Sequence, residues 1–197
     1  MMNDRMTQPI VFIPDAGELP DVFTEVVNAL PADLKPRIAP WSGTVGRGQE
    51  DVEKLLDKHE LRRIILVGGG RGAAVALRVA QAQPGRITHL VLDTPVISLD
   101  EQTRKMGRAL KRVPGFLFRG RNKEELLNQV DELDGTSAGD FADVATPTLI
   151  ISGTTHPELV DALPRVVTVS VDGAGPRTYR THPGEFGAHL GRFLADS

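Results

Sequence analysis

The sequence predicts a three-layer α/β/α sandwich: a mostly or wholly parallel sheet of about six strands, helices on both faces, and a small helical cap. Three observations predict it. Short apolar runs rich in Val and Ile alternate with segments of helical period. The runs are continuous and do not alternate with polar residues, as expected of strands buried on both faces. The alternation breaks once, over residues 97–146, where two helical patterns follow each other with no strand between.

The elements read in order. "PIVFI" (9–13) is a strand, and "PDVFTEVVNAL" (20–30) is a helix with Val22, Val26, Val27 and Leu30 near one face. "PRIAP" (36–40) is a strand. "GQEDVEKLLDKH" (48–59) is a helix with Val52, Leu55, Leu56 and His59 to one side. "RRIILV" (62–67), the small-residue helix "GAAVALRVAQAQ" (72–83) and the strand "ITHLVLD" (87–93) follow. Within the break, residues 101–113 form a helix with Met106, Ala109, Leu110 and Val113 on one side. Residues 123–133 form another, with Leu126, Leu127, Val130 and Leu133. "DGTSAGD" (134–140) is a loop or hinge. "PTLIIS" (147–152), a short helix near 157–163, "RVVTVSV" (165–171) and a last helix over 183–195 complete one domain spanning 1–197, with the cap inserted at about 97–146.

Composition narrows the function classes. With 25% charged and 40% hydrophobic residues the chain is neither disordered nor membrane-spanning. There is no Cys, so no disulfide, thiolate nucleophile or Cys metal site is available. No His/Asp/Glu cluster has metal-ligand spacing, and no cofactor or metal is expected. "MMNDRMTQ" lacks the apolar core of a secretory signal, and a cytoplasmic location is expected. The net charge of −3 names no partner, and nucleic acid is not expected. The charge is nevertheless uneven: residues 101–123 carry eight Lys or Arg against one acid.

"IILVGGGRGAAVAL" (64–77) carries the functional question. Gly68, Gly70 and Ala73 satisfy the G-x-G-x-x-G/A dinucleotide pattern, with Asp93 ending the next strand as a ribose-binding acid. Two strand–helix units precede it, whereas that pattern opens a nucleotide-binding half. The same stretch also has the spacing of a nucleophile elbow, G-x-S-x-G, a sharp strand-to-helix turn with the nucleophile at its tip. Here it reads Gly68-Gly69-Gly70-Arg71-Gly72, and the tip is Gly.

The surrounding phrases resemble the α/β-hydrolase fold family over most of the chain. "IVFIPDAG" (10–17) is similar to that family's "VVLLHGAG", and "ILVGGGRGAAVALRVA" (65–80) to "VLVGHSMGGAVALRLA". "QPGRITHLVLDTP" (83–95) resembles "HPERVRALVLVDP", and "TPTLIISGTTHP" (146–157) resembles "VPTLVIHGEDDP". "DGAGPRTYRTHPGEF" (172–186) is similar to "PGAGHSPHLEQPEEF". The resemblance implies a compact member lacking the first two antiparallel strands, with the sheet running 4-3-5-6-7-8 in the family's strand numbering. It also puts the nucleophile position at Gly70, the acid position at His156 and the base position at Pro176; the His-Gly pair after the first strand falls on Pro14 and Asp15. A glycine has nothing to attack a carbonyl with, and a proline has no ring nitrogen to accept a proton. No Ser-His-Asp triad is expected.

What remains at the turn is backbone. Gly70 can hold the φ > 0 conformation of an elbow tip without strain. The N–H groups of Gly70, Arg71 and Gly72 are then expected to point outward as an anion site. Ligand-binding candidates are Asp15, Ala16, Trp41, Gly69, Gly70, Arg71, His156 and His182. Arg71 is a partner for an anion or for Asp15, and Asp15 is a general base or a turn former. Ser42, Thr44, Ser152, Thr154 and Thr155 are hydroxyls that a displaced active site would draw on. In the cap, Arg104, Lys105, Arg108, Lys111 and Arg112 form a basic side, and Phe116, Leu117 and Phe118 follow. Such a segment suits an anionic surface or a solvated face. The leading expectation is a non-catalytic protein that binds an unidentified small molecule, anionic in one version, or serves regulation. The alternatives are a hydrolase or lyase using other acid/base residues in the same pocket, and an interaction protein acting through the basic cap.

Overall fold

The computed structural model describes residues 8–99, 101–114 and 123–196. Six strands form one sheet: β1 (Gln8–Ile13), β2 (Leu34–Ile38), β3 (Ile64–Gly69), β4 (Ile87–Asp93), β5 (Thr148–Ser152) and β6 (Val166–Ser170). Their order is β2-β1-β3-β4-β5-β6, and every neighbouring pair is parallel. The helices are α1 (Thr24–Ala29), α2 (Val45–Lys58), α3 (Gly72–Ala82), α4 (Glu101–Lys111), α5 (Lys123–Asp134), α6 (Pro157–Ala162), α7 (Thr178–Thr181) and α8 (Pro183–Asp196).

Period-two alternation divides the core between the two faces of the sheet. Val11, Ile13, Leu66, Leu90, Leu92 and Ile150 pack with α2 and α3. Ile10, Phe12, Ile65, Val67, Val91 and Leu149 pack on the other face with Val26 of α1 and Phe186 and Leu190 of α8. The sheet turns at β1, which is flanked by β2 and β3, so chain order reverses there. In open parallel sheets the carboxyl ends beside such a reversal build sites. Those ends here are Asp15 after β1 and Gly70 after β3.

Two strands lie two residues from their expected places. β2 covers 34–38, not 36–40, because it is an edge strand with three exposed residues of five, and apolar runs mark edge strands poorly. Pro36 is tolerated there, since an edge strand can spare one N–H. β3 starts at Ile64, after Arg63 at φ 56°, and continues through Gly68 and Gly69, which pair with Leu92 and Asp93. The first helical segment is split into a 3-10 turn (Pro20–Phe23) and α1, and its most buried residues are Phe23 and Val26. His59 caps α2 and is exposed.

The cap differs most. Of the expected apolar side of α4, Met106 is 60% exposed, Ala109 is exposed and Val113 is half-buried, while the side chains of Leu110, and of Leu126 on α5, lie outside the described residues. Arg104, Gly107 and Lys111 face α5 instead. Arg104 Nε lies 2.6 Å from Asp134, Lys111 Nζ lies 2.8 Å from Asp131, and Gly107 abuts Val130. The stretch 134–140 ends in a 3-10 turn (Ala138–Phe141) closed by a Ser137/Asp140 capping box. Cap and core meet at Glu132. Its carboxylate accepts the N–H groups of Val45 and Gly46 at the start of α2 and pairs with Arg78 of α3 at 3.2 Å. Among the described residues no helix is long and apolar enough to cross a membrane.

The turn after β3 requires its glycines. A Cβ on Gly68 would meet the Gly72 carbonyl at 2.5 Å and Ala73 Cα at 2.7 Å, both backbone. Gly68→Ala is therefore expected to lose about 1–3 kcal/mol, read as a lower urea midpoint. The control Gly85→Ala, which has open space, should leave the midpoint in place.

Candidate functional site

β3 delivers Gly70 to the tip of a tight turn at φ 56°, the left-handed region that glycine enters freely. Its carbonyl accepts from Ala73 N and Val96 N, and its own N–H donates to the Asp93 carbonyl at 3.0 Å. The Gly70 N–H therefore faces inward, which corrects the expectation of three outward donors. The N–H of Arg71 does face the loop after β1, and there it already has an acceptor.

That acceptor is Asp15. Its Oδ1 accepts from Ala16 N at 2.8 Å and from Arg71 N at 3.1 Å. In an elbow enzyme, the N–H of the residue after the nucleophile and an N–H from the corresponding strand-to-helix loop are the two donors that hold the reaction's oxyanion. Here one carboxylate oxygen of the chain itself bridges both. Oδ2 accepts from Arg177 Nη2 at 2.6 Å, and Arg71 Nε lies 3.4 Å from Oδ1. A Cβ on Gly70 would lie 2.7 Å from Asp15 Cγ and 2.8 Å from Oδ2. The Asp15 carboxylate thus fills the space that a nucleophile's side chain would need.

Glu18 supports this arrangement from behind. It accepts from the Tyr179 hydroxyl at 2.5 Å, from Asp15 N at 3.3 Å, and pairs with Arg177 Nε at 2.6 Å. Burial would lower the Arg177 pKa, but the Asp15 and Glu18 carboxylates outweigh it and hold the guanidinium above its usual value. Burial and the Glu18 bond push the Tyr179 phenol well above its ordinary range, so it remains a donor. The Tyr179 ring covers Gly69, where a Cβ would strike it, and stacks on Phe23 with centroids 4.4 Å apart. Asp93 is fully buried and holds the start of α7, accepting from Thr178 N at 3.2 Å and Tyr179 N at 2.9 Å. Burial raises its pKa against the pull of those bonds. Asp93 is thus an anchor for α7, which is a different task from the ribose-binding role that the dinucleotide pattern implies.

The structure gathers some of the expected residues and not others. Asp15, Ala16, Gly69, Gly70 and Arg71 meet at the elbow. Arg71 also donates to Gln129 of the cap at 2.9 Å, so both its partners lie within the chain. Trp41 is buried against Gly48 and Val75, and its Nε1 donates to the Pro14 carbonyl at 2.8 Å. It props the loop that carries Asp15. His182 ends α7 against Thr181 Oγ1 at 2.9 Å and is no part of the elbow group. Pro176 lines a cavity of about 350 Å³ with Thr94, Ser152, Gly153, Thr154, Ala174 and Gly175. His156 caps α6, and its Nε2 lies 3.1 Å from Ser152 Oγ. Of the basic cap residues, Arg104 and Lys111 pair with α5, and Lys105 and Arg112 are exposed. The Arg108 side chain, Phe116, Leu117 and Phe118 lie outside the described residues. Among the described residues no three His, Asp or Glu gather as a metal site.

Comparison with known proteins settles the architecture. A solved α/β-hydrolase enzyme from a lagoon-sediment metagenome superposes with a TM-score of 0.77 at 20% identity, covering 96% of this chain and 91% of its own. The chain has the α/β-hydrolase fold. A bromoperoxidase from Bacillus anthracis matches this α/β-hydrolase-fold chain with a TM-score of 0.75 at 19% identity, over 95% of this chain and 92% of its own. In sequence, the lipase LipV of Mycobacterium tuberculosis is 28% identical over 135 residues, 68% of this chain. The chain spans about half the length of that curated relative, 47%. No family model matches it. The order β2-β1-β3-β4-β5-β6 is the 4-3-5-6-7-8 order expected from the sequence.

Glu18, Arg177 and Tyr179 are absent from the candidates that the sequence yields. Their partners are up to 162 positions away, and no local pattern marks them. The only signal was the adjacency of Arg177 to the substituted base position.

Two measurements check this geometry. Asp15→Ala takes one carboxylate partner from each of two part-buried arginines, which keep Glu18 and Gln129, and removes the acceptor of two N–H donors; it is expected to cost about 1–3 kcal/mol of stability by urea unfolding. Separately, burial lowers the pKa of His156 below the usual 6.5, against Glu158, and burial then Arg165 lower that of His89. Between the lowered values and 6.5 the unfolded chain binds protons that the folded chain does not, so stability falls as pH drops below 6.5. The urea midpoint of the wild type should fall more steeply from pH 7 to about 5.5 than that of a His89→Gln/His156→Gln variant.

Proposed function

We propose that the elbow of this α/β-hydrolase-fold protein is non-catalytic and serves binding or regulation. The observation that carries this reading is Asp15 Oδ1 bridging the N–H groups of Ala16 and Arg71. An ester carbonyl entering the elbow would find no nucleophile at position 70 and both oxyanion donors already engaged. The side chains of Arg71 and Arg177 retain 26% and 30% exposure. They favour a small anionic molecule, carboxylate or phosphate, as the ligand. The basic cap stands as a weaker docking element, because α5 neutralises part of it. A second reading, an enzyme built on residues outside the elbow, is favoured by the contact between Ser152 and His156.

Turnover of p-nitrophenyl acetate by the wild type, Asp15→Asn and Arg71→Ala tests the first reading. The three rates are expected within about two-fold of one another, since the elbow contributes no chemistry. Malonate or phosphate should raise the Tm of the wild type and not that of an Arg71→Ala/Arg177→Ala variant. A loss of turnover of about ten-fold or more in Asp15→Asn would place catalysis at the elbow and contradict the reading.

A further inference from the structure

The carboxyl end of β5 brings a hydroxyl and an imidazole together away from the elbow. Ser152 closes β5 and is 2% exposed. Its Oγ lies 3.1 Å from His156 Nε2 and accepts the Thr154 N–H at 3.1 Å. Thr154 Oγ1 lies 3.2 Å from the same oxygen. His156 Nδ1 faces Glu158 Oε1 at 4.0 Å. The order hydroxyl, imidazole, carboxylate is the one that nucleophilic acyl transfer uses. Burial keeps the imidazole pKa below its usual value despite Glu158, so the ring is a neutral base at pH 7.

Space is present on both sides. Ser152 contributes to the cavity of about 350 Å³ shared with Thr94, Ala174, Gly175 and Pro176. It also contributes to a second cavity, of about 220 Å³, shared with Ile150, His156, Val160 and Thr168. The larger cavity has no charged side chain among its lining residues, and those residues are small. A short, neutral acyl group suits it.

We propose that Ser152 is a nucleophile and His156 its general base, forming a displaced hydrolytic site for small neutral esters. This rests on the second reading above and is independent of the closed elbow. Ser152 Oγ forms a bond to the acyl carbon while its proton passes to His156 Nε2. The bond from the acyl carbon to the leaving alcohol oxygen breaks, and that oxygen takes the proton from His156. Water, deprotonated by the same nitrogen, then bonds to the acyl carbon; the bond from that carbon to Ser152 Oγ breaks, the acid leaves, and His156 returns the proton to Oγ. The Thr154 N–H, 3.1 Å from Ser152 Oγ, holds that oxygen in place beside the imidazole.

The test uses the full chain and a fluorophosphonate probe, read by intact mass and peptide mapping. The expected result is one adduct, on Ser152, absent in Ser152→Ala and formed about ten-fold more slowly in His156→Gln. Absence of an adduct in the wild type, or an adduct that persists in Ser152→Ala, overturns the proposal. Because Ser152→Ala removes the acceptor for Thr154 N and could perturb the turn, Ser152→Cys supplies a second reading. The chain has no other Cys, so this variant carries a single thiol. Iodoacetamide should alkylate it at pH 7 about ten-fold faster than the thiol of Ser152→Cys/His156→Gln, because the imidazole draws out the thiolate. Equal rates overturn the proposal. Failure here is distinct from failure at the elbow: loss of label at Ser152 leaves the closed elbow standing, whereas ester turnover lost in Asp15→Asn and kept in Ser152→Ala overturns both.

Discussion

The hydrogen bond from the Arg71 N–H to Asp15 Oδ1 joins the carboxyl ends of β1 and β3, where the elbow turn meets the loop after β1. It ties the loop after β1 to the N-cap of α3, the partners being 56 positions apart. The donor geometry comes from the turn, because a helix N-terminus offers N–H groups without intrahelical partners. The acceptor is supplied by the chain. A buried or half-buried donor left without an acceptor costs about 1–3 kcal/mol, so an elbow that no longer stabilises a reaction still needs something in that slot. Asp15 meets the need, and the guanidiniums of Arg71 and Arg177 balance its charge.

The neighbouring residues follow from that placement. Gly70 has no room for a side chain beside the carboxylate, so the residue that an elbow would use for attack is excluded sterically as well as chemically. Arg177 reaches Asp15 because α7 is fixed by Asp93 beneath it and by Tyr179 across Gly69. Trp41 holds the Pro14 carbonyl and so the start of the loop. Gln129 and Glu132 bring the cap to the same end, onto Arg71 and the N-terminus of α2. The carboxyl end of the sheet is thus cross-braced by polar contacts, and the open volume lies toward β5, around Ser152 and Pro176.

Much of the fold was legible in the sequence because it is written locally. Buried strands such as β4 and β5 are continuous apolar runs, and the spacing of Gly68, Gly70 and Gly72 marks a strand-to-helix turn whatever its chemistry. The edge strand β2 and the cap helix α4 were less legible. An edge strand buries too little to show a pattern, and α4 packs through Arg104, Gly107 and Lys111, not through Met106 and Ala109. At the site, the loss of a nucleophile at Gly70 was readable, and so was Asp15 as a residue of interest. That Asp15 occupies the anion slot was not, because the contact depends on distances between separate loops. Glu18, Arg177 and Tyr179 were invisible for the same reason. The pairing of Ser152 with His156 was closer to view, four residues apart across the turn into α6, but needed the backbone to show which way the imidazole points.

The most direct test is an NMR titration of the Arg71 amide with acetate, in the wild type and in Asp15→Ala. If Asp15 fills the anion slot, the Arg71 amide signal shows no large downfield shift in the wild type, even where acetate reaches the Arg71 and Arg177 guanidiniums. In Asp15→Ala it moves downfield with acetate and saturates, as the added carboxylate takes the vacated position. A wild-type signal that shifts with acetate as strongly as that of the variant would show an open slot and contradict the account.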